Sequence, residues 1–423
     1  MAAACATTSP TPDPLPAPAL RAFRFGRLVD PATGSTLERA LVLVRGERIA
    51  YVGHDESKIP NGTPLLDWSR YTGLPGLIDA HTHVTFVTDG APGTNPFERA
   101  SELPAARALP LVHECLLRTL RLGVTSVIDK GVAAGNDREL REAVRKGRLA
   151  GPRLFVAGPG LQPTDRSVEG VRAEVRRVVT LGVDLIKIWA DECSDRRLDC
   201  PQVYSTEALG AAIDEAHRLG KPVAVHAYHA GTAADAVRAG ADSLEHAEGI
   251  DDATLDEMVK RGTVYVPTID HNRYYREHAA EYGHTAADGR GLAAFLEKNL
   301  ATAARAHQRG VAIAMGSDAV FSMCGENTRE LGWLVRAGLT PMQALRAATF
   351  EAARSVGKQN EIGRVAPGYF ADLIAVEGDP LANVDAVINH VRVVIQGGKQ
   401  IDLGPTVHDA RATPAPGAHG VGR

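Results

Sequence analysis

Two histidines one residue apart, His81 and His83, directly follow the apolar run Gly76-Leu-Ile-Asp-Ala80. Side chains two positions apart on a strand point to the same face, so the pair can offer two imidazole nitrogens to one metal ion. Taken alone, the pair fits a polar strand end equally well. Four further groups share its placement. Lys187 sits inside the apolar run Leu185-Ile-Lys-Ile-Trp189, His226 ends Pro222-Val-Ala-Val-His226, His246 ends Ser243-Leu-Glu-His246, and Asp318 follows Val311-Ala-Ile-Ala-Met315. Imidazole and carboxylate suit a divalent ion, which lowers the pKa of bound water from about 15.7 towards ~7 and polarises carbonyl groups.

The elements that must position these groups alternate between 72 and 362. The runs already named are joined by Val124-Thr-Ser-Val-Ile-Asp129, Arg153-Leu-Phe-Val-Ala157 and Val264-Tyr-Val-Pro-Thr268, giving eight strand candidates. Amphipathic stretches of helical length, such as 205–219 and 292–308, lie between most of them. Several close on a glycine (Gly123, Gly182, Gly220, Gly310), as helix C-termini do. This alternation predicts an α/β chain with a (β/α)8 TIM barrel, whose strand ends converge on one mouth. Short apolar strands at 21–71 and 363–403 predict a small β-sandwich domain built from both chain ends. The Pro-rich segment 1–20 and the Pro, Gly and Ala-rich segment 404–423 read as a disordered arm and tail.

Composition narrows the function classes. The 423 residues are 44% hydrophobic and 23% charged, near the globular average. A net charge of −4 gives no electrostatic case for nucleic acid. No apolar run is long enough to span a membrane, and the N-terminus lacks the charged and apolar regions of a secretory signal. Five scattered cysteines, Cys5, Cys115, Cys193, Cys200 and Cys324, make a disulfide framework an unexpected feature, and the expected location is cytoplasmic. A small-molecule substrate is the expected partner, with homo-oligomerisation left open.

The chain resembles the amidohydrolase superfamily, in the branch of imidazolonepropionase-like, Xaa-Pro dipeptidase (prolidase)-like and ochratoxinase-like members. The motifs are Leu74-Pro-Gly-Leu-Ile-Asp-Ala-His-Thr-His83, Gly182-Val-Asp-Leu-Ile-Lys-Ile188, Val223-Ala-Val-His-Ala-Tyr228 and Ala239-Gly-Ala-Asp-Ser-Leu-Glu-His246. Val266-Pro-Thr268, Gly316-Ser-Asp-Ala319, Asn327-Thr-Arg-Glu-Leu-Gly332 and Gly363-Arg-Val-Ala-Pro-Gly-Tyr-Phe-Ala-Asp-Leu-Ile-Ala-Val376 complete the set. The resemblance implies two divalent ions, with zinc the expected metal. His81, His83 and Asp318 are then expected at the more buried ion, and His226 and His246 at the second. Lys187, carboxylated by CO2, is expected to bridge them. It further implies a metal-bound hydroxide as nucleophile, with Asp318 as proton shuttle and Tyr228 polarising the carbonyl.

The resemblance implies hydrolysis of an amide in a dipeptide or N-acyl amino acid, ochratoxin-like amides included. A cyclic amide, a carbamate or thiocarbamate, and a non-hydrolytic lyase reaction on the same fold are the alternatives. The chain departs from the dipeptidase pattern at Gly158-Pro-Gly-Leu-Gln-Pro-Thr-Asp-Arg166, which has no histidine, and at the polar, aromatic loop Asp270-His-Asn-Arg-Tyr-Tyr275. Substrate contacts are therefore sought at His271, Arg273, Tyr274 and Asn327. Asp129 and Lys130 read as a local ion pair, and Asp191, Glu192 and Asp195 as a solvated acidic loop.

Overall fold

The computed structural model describes residues 19–89, 96–132, 136–192, 200–279 and 286–402. The expected tail at 404–423 lies outside the described residues, as do Asp195 and all but the last two residues of the expected arm. The N-terminal strands are β1 (Leu20–Asp30), β2 (Ser35–Arg45), β3 (Arg48–Gly53) and β4 (Leu65–Pro75). The central strands are β5 (Leu77–Thr82), β6 (Val124–Asp129), β7 (Arg153–Val156), β8 (Ile186–Trp189), β9 (Val223–Ala227), β10 (Ser243–His246) and β11 (Val264–Val266). Near the other end are β12 (Leu373–Val376), β13 (Val391–Gln396) and β14 (Lys399–Gln400).

Strands from the two chain ends form one seven-stranded sheet in the order β14-β13-β12-β4-β1-β2-β3. The join is β12 against β4, antiparallel, with Leu373 opposite Pro75 and Val376 opposite Thr72. Strand alternation divides its apolar side chains between two cores. Leu373 and Ala375 pack with Phe23, Phe25 and Val42, whereas Ile374 and Val376 join the large core beneath the helices. β4 leads within two residues into β5, so this sheet anchors the strand that carries His81.

The central strands pair in parallel, β5-β6-β7 in one sheet and β8-β9-β10-β11 in another. Seven of the eight expected strands are present. The eighth, 311–315, pairs through one bridge, and the residues just after it through a second. Ile313 meets Tyr265 of β11, and Ala319 meets Thr82 of β5. Backbone bonds accompany both, Tyr265 N to Ala312 O at 2.8 Å and Ala80 N to Met315 O at 2.8 Å. Between β7 and β8, Asp184 N donates to Val156 O at 2.8 Å. Helices separate the parallel strands. The left-handed Gly123 (φ +82°) and Gly310 (φ +83°) fit the helix-closing glycines read from the sequence.

Two expectations about local structure are overturned. Cys115, in the helix Ala105–Arg121, and Cys324 are disulfide-bonded, with Cα atoms 5.1 Å apart, and Cys200 is disulfide-bonded too. A separation of 209 residues conceals the first pair, because the bridge between Thr82 and Ala319 makes the segments after the first and last strands neighbours. Cysteine usage therefore gives no argument for a reducing compartment. The segment around His271 is not a loop but a helix, Ile269–Glu277, buried through Tyr275. Glu330 makes this possible by accepting the first two helical N–H groups, Ile269 N at 2.9 Å and Asp270 N at 2.8 Å. Among the described residues, no helix is long and apolar enough to cross a membrane.

Candidate metal centre and active site

Asp318 is the point on which the strand ends converge. Its Oδ1 lies 3.5 Å from His81 Nε2 and 3.3 Å from His83 Nε2, and its Oδ2 lies 3.4 Å from His271 Nε2 and 3.9 Å from His246 Nδ1. One ligand atom from each of His81, His83 and Asp318 can be chosen so that all lie within 4.8 Å of one another, a group able to hold a metal ion. Lys187, on β8, is fully buried and acts electrostatically on His81, His226 and His246. The rings of His226 and His246 stand 4.6 Å apart, and His246 is 5.0 Å from His81. All six expected ligand residues thus gather at one end of the parallel strands.

Backbone strain marks the same place. Asp318 (φ +52°), His246 (φ +68°) and Thr268 (φ +49°) occupy the left-handed region, at a cost of about 1–3 kcal/mol each. For Asp318 the surroundings enforce it. Its N–H donates to His81 O at 2.7 Å, and its own carbonyl lies 2.9 Å from His271 Nδ1. At His246 the turn interrupts strand alternation, so that both Glu245 and His246 reach histidines of the cluster.

His81, His83 and His246 each have one ring nitrogen within hydrogen-bond distance of a protein acceptor, and His226 has a carboxylate beside it. His81 Nδ1 lies 2.6 Å from Glu245 Oε2, His83 Nδ1 3.1 Å from Gly131 O, and His246 Nδ1 2.7 Å from Thr268 Oγ1. His226 Nε2 is 3.5 Å from Asp191 Oδ1. Histidine ligands are oriented by such outer acceptors. His81 Nε2 and Lys187 Nζ, both buried, have no hydrogen-bond partner. Buried polar atoms are rarely left so unless a ligand meets them. The donor set and its two orphaned atoms fit a divalent ion.

The electrostatics agree. Burial, reinforced by Lys187, pushes the His81 imidazole down to about 3, and burial holds His226 and His246 well below their ordinary range. All three are therefore neutral at pH 7, as metal ligands must be. Burial pushes Lys187 down to about 8, so free amine is far more populated at neutral pH than in an ordinary lysine, though still the minor form. Burial alone raises the Asp318 carboxyl, but His271, His81 and His83 outweigh it and hold it well below the carboxylate range.

Among the other expected site residues, Tyr228 is buried and stacks on His246, with centroids 4.8 Å apart and planes at 9°. His271 joins the centre through Asp318. Arg273 does not offer its guanidinium to a carboxylate ligand so simply. Asp270 takes two bonds from it, at 2.8 and 2.9 Å, and Glu326 another at 2.7 Å. Tyr274 meets Ser322 Oγ at 2.7 Å. Asn327 donates to Asp79 Oδ2 at 2.8 Å, and Asp79 also accepts from Ser317 N and His81 N. This network ties the His81 strand to the Asp318 segment.

Sequence reasoning missed the outer acceptors. Lys130 does not pair locally with Asp129. It crosses to Glu245, while Asp129 accepts Val84 N at 2.9 Å. Asp191 is buried beside His226 rather than solvated. A charged residue inside an apolar run, as in Ser243-Leu-Glu-His246, was the available signal.

Comparison with known proteins agrees with this architecture. The family model described as "Amidohydrolase family" matches residues 72–401. Ochratoxinase from Aspergillus niger is 28% identical, over 92% of this chain and 88% of that one. Imidazolonepropionase from Cereibacter sphaeroides is 27% identical, over 84% and 93%. A Xaa-Pro dipeptidase crystallised with methionine in its active site superposes with a TM-score of 0.80 at 27% identity, covering 91% of this chain and all of the other.

Proposed function

The chain belongs to the amidohydrolase family and is a hydrolase acting on carbon–nitrogen bonds, and on that premise we propose that it hydrolyses the amide of a dipeptide or N-acyl amino acid. The observation that carries this is the convergence of His81, His83 and Asp318 beside Lys187, His226, His246 and Tyr228. In this reading His81, His83 and Asp318 hold one divalent ion, His226 and His246 a second, and carboxylated Lys187 serves both. The expected metal is zinc. Bound divalent ions supply Lewis acidity towards the carbonyl and lower the pKa of water. Asp318 takes the proton from the attacking water and delivers it to the leaving nitrogen. Tyr228 donates its hydroxyl to the developing oxyanion. Water enters the carboxyl product, and the amine leaves protonated.

The same reading joins both parallel sheets and 311–319 into one closed (β/α)8 barrel spanning 72–362, supported by the bonds across each seam. Segments 21–71 and 363–403 are assigned in this reading to the accompanying β-sandwich domain, its one sheet curving around the core of Phe23, Phe25, Val42, Leu373 and Ala375. The similarity to imidazolonepropionase favours one second reading, the opening of a cyclic amide.

Metal-replete protein incubated with dipeptides, N-acyl amino acids and cyclic amides in oxygen-18 water tests both. Hydrolysis of an acyclic amide places one labelled oxygen in the new carboxylate. Turnover confined to cyclic amides selects the second reading, and product without label rejects hydrolysis. With a substrate in hand, Tyr228→Phe lowers kcat by ~100–1000-fold while KM changes little, because only the hydroxyl is lost. A rise in KM at unchanged kcat instead makes Tyr228 a substrate-positioning residue.

A further inference from the structure

Three strands contribute to a polar cluster enclosed among the parallel strands. Glu245 of β10 is fully buried, and each of its carboxylate oxygens is engaged. His81 Nδ1, from β5, lies 2.6 Å from Oε2. Ser243 Oγ donates to Oε1 at 2.6 Å, and Lys130, immediately after β6, ion-pairs with the same oxygen. Lys130 Nζ also donates to Ser243 Oγ at 3.3 Å and is itself fully buried. An ion pair withdrawn this far from water is a poor source of stability, since apolar replacements are often neutral or stabilising.

We propose that Glu245, secured by Lys130 and Ser243, is a positioning residue that fixes the tautomer and ring plane of His81 and so aims Nε2 at the metal site. This rests on the reading of His81 as a metal ligand. The chemistry follows from donor and acceptor counts. A carboxylate only accepts, so the His81 proton must sit on Nδ1, which leaves the lone pair on Nε2. The other tautomer sets a nitrogen lone pair against a carboxylate oxygen, and His81 N already donates to Asp79 Oδ1 at 3.1 Å, which holds the backbone in place. Lys130 offsets the cost of burying the Glu245 charge and, by gripping Oε1, turns Oε2 towards His81. The three groups form a relay of orientation: a cation sets a carboxylate, which sets a ligand. Sequence order hides it, because residues 81, 130 and 245 meet only across the strands.

The test compares wild type, Glu245→Asp and the Glu245→Leu/Lys130→Met double variant as full-length chains. Zinc affinity is measured by chelator competition, thermal midpoints are measured on the same samples, and the visible spectrum is recorded after cobalt loading. Glu245→Asp keeps the charge pair but withdraws the carboxylate from His81. The double variant removes both charges together and so leaves no unpaired ion. Both are expected to bind zinc about 10–100-fold more weakly than wild type, with altered cobalt spectra, as loss of an outer partner of a ligand does. Zinc affinity within twofold of wild type in either variant overturns the proposal and leaves the cluster a packing feature. A wild-type chain that binds no zinc or cobalt overturns the metal reading itself, and this inference with it.

Discussion

Asp318→Asn lowers turnover by ~100–10,000-fold without unfolding the protein, the range expected when a general acid–base is removed. The substitution is unusually clean at this position. Asp318 holds a left-handed backbone (φ +52°), which asparagine tolerates as few residues do, so the strained turn survives. The bonds that enforce the turn, to His81 O and from His271, involve only the Asp318 backbone and persist. What disappears is the negative charge among four imidazoles and the capacity to carry a proton to the leaving nitrogen. Without that proton the tetrahedral adduct reverts to substrate, because an unprotonated amine leaves poorly. Substrate binding is retained while release of amine fails. Turnover within about tenfold of wild type rejects the shuttle role. Metal content must be measured on the same sample, since loss of metal would itself abolish turnover.

Lys187→Ala lowers both metal content and activity, the latter by ~100-fold or more, given that losing even an outer partner of a metal ligand costs ~10–100-fold. The amine is fully buried, without a hydrogen-bond partner, and shifted by burial down to about 8. An ammonium is a donor only and cannot ligate a cation. A neutral amine can attack CO2: the N–C bond forms, one proton leaves, and the carbamate presents two acceptor oxygens. Truncation at Cβ leaves space for a short carboxylate. Added acetate or propionate, supplied together with the metal, is therefore expected to restore part of both metal content and activity. Unchanged metal content with near wild-type turnover refutes the carbamate role.

What could be read from the sequence was what periodicity and residue type report. Seven parallel strands were visible as apolar runs, and the ligand candidates stood at or near their ends. The eighth run was equally apolar, yet pairs through one bridge at Ile313, because the chain turns just beyond it to deliver Asp318. Partners distant in sequence were not legible. Nothing in Asp129-Lys130 says that the lysine reaches β10, and nothing near Cys115 points to Cys324. The Asp270–Tyr275 stretch looked like a loop because its polar residues suggested water. They are buried because Glu330, sixty residues on, accepts the helix N-terminus, and because Asp270 and Glu326 satisfy Arg273.

The seven-stranded sheet has a consequence for biosynthesis. β4 pairs with β1 on one side and with β12 on the other, and it runs directly into the strand that bears His81. On a ribosome adding ~5–20 residues per second, β12 follows β4 by about 300 residues, or tens of seconds. Throughout that interval one edge of β4 has no native partner, and an open edge invites pairing with other chains. Nascent chains stalled before Leu373 should therefore be the aggregation-prone species, and a host that translates slowly through the central helices would lengthen their exposure.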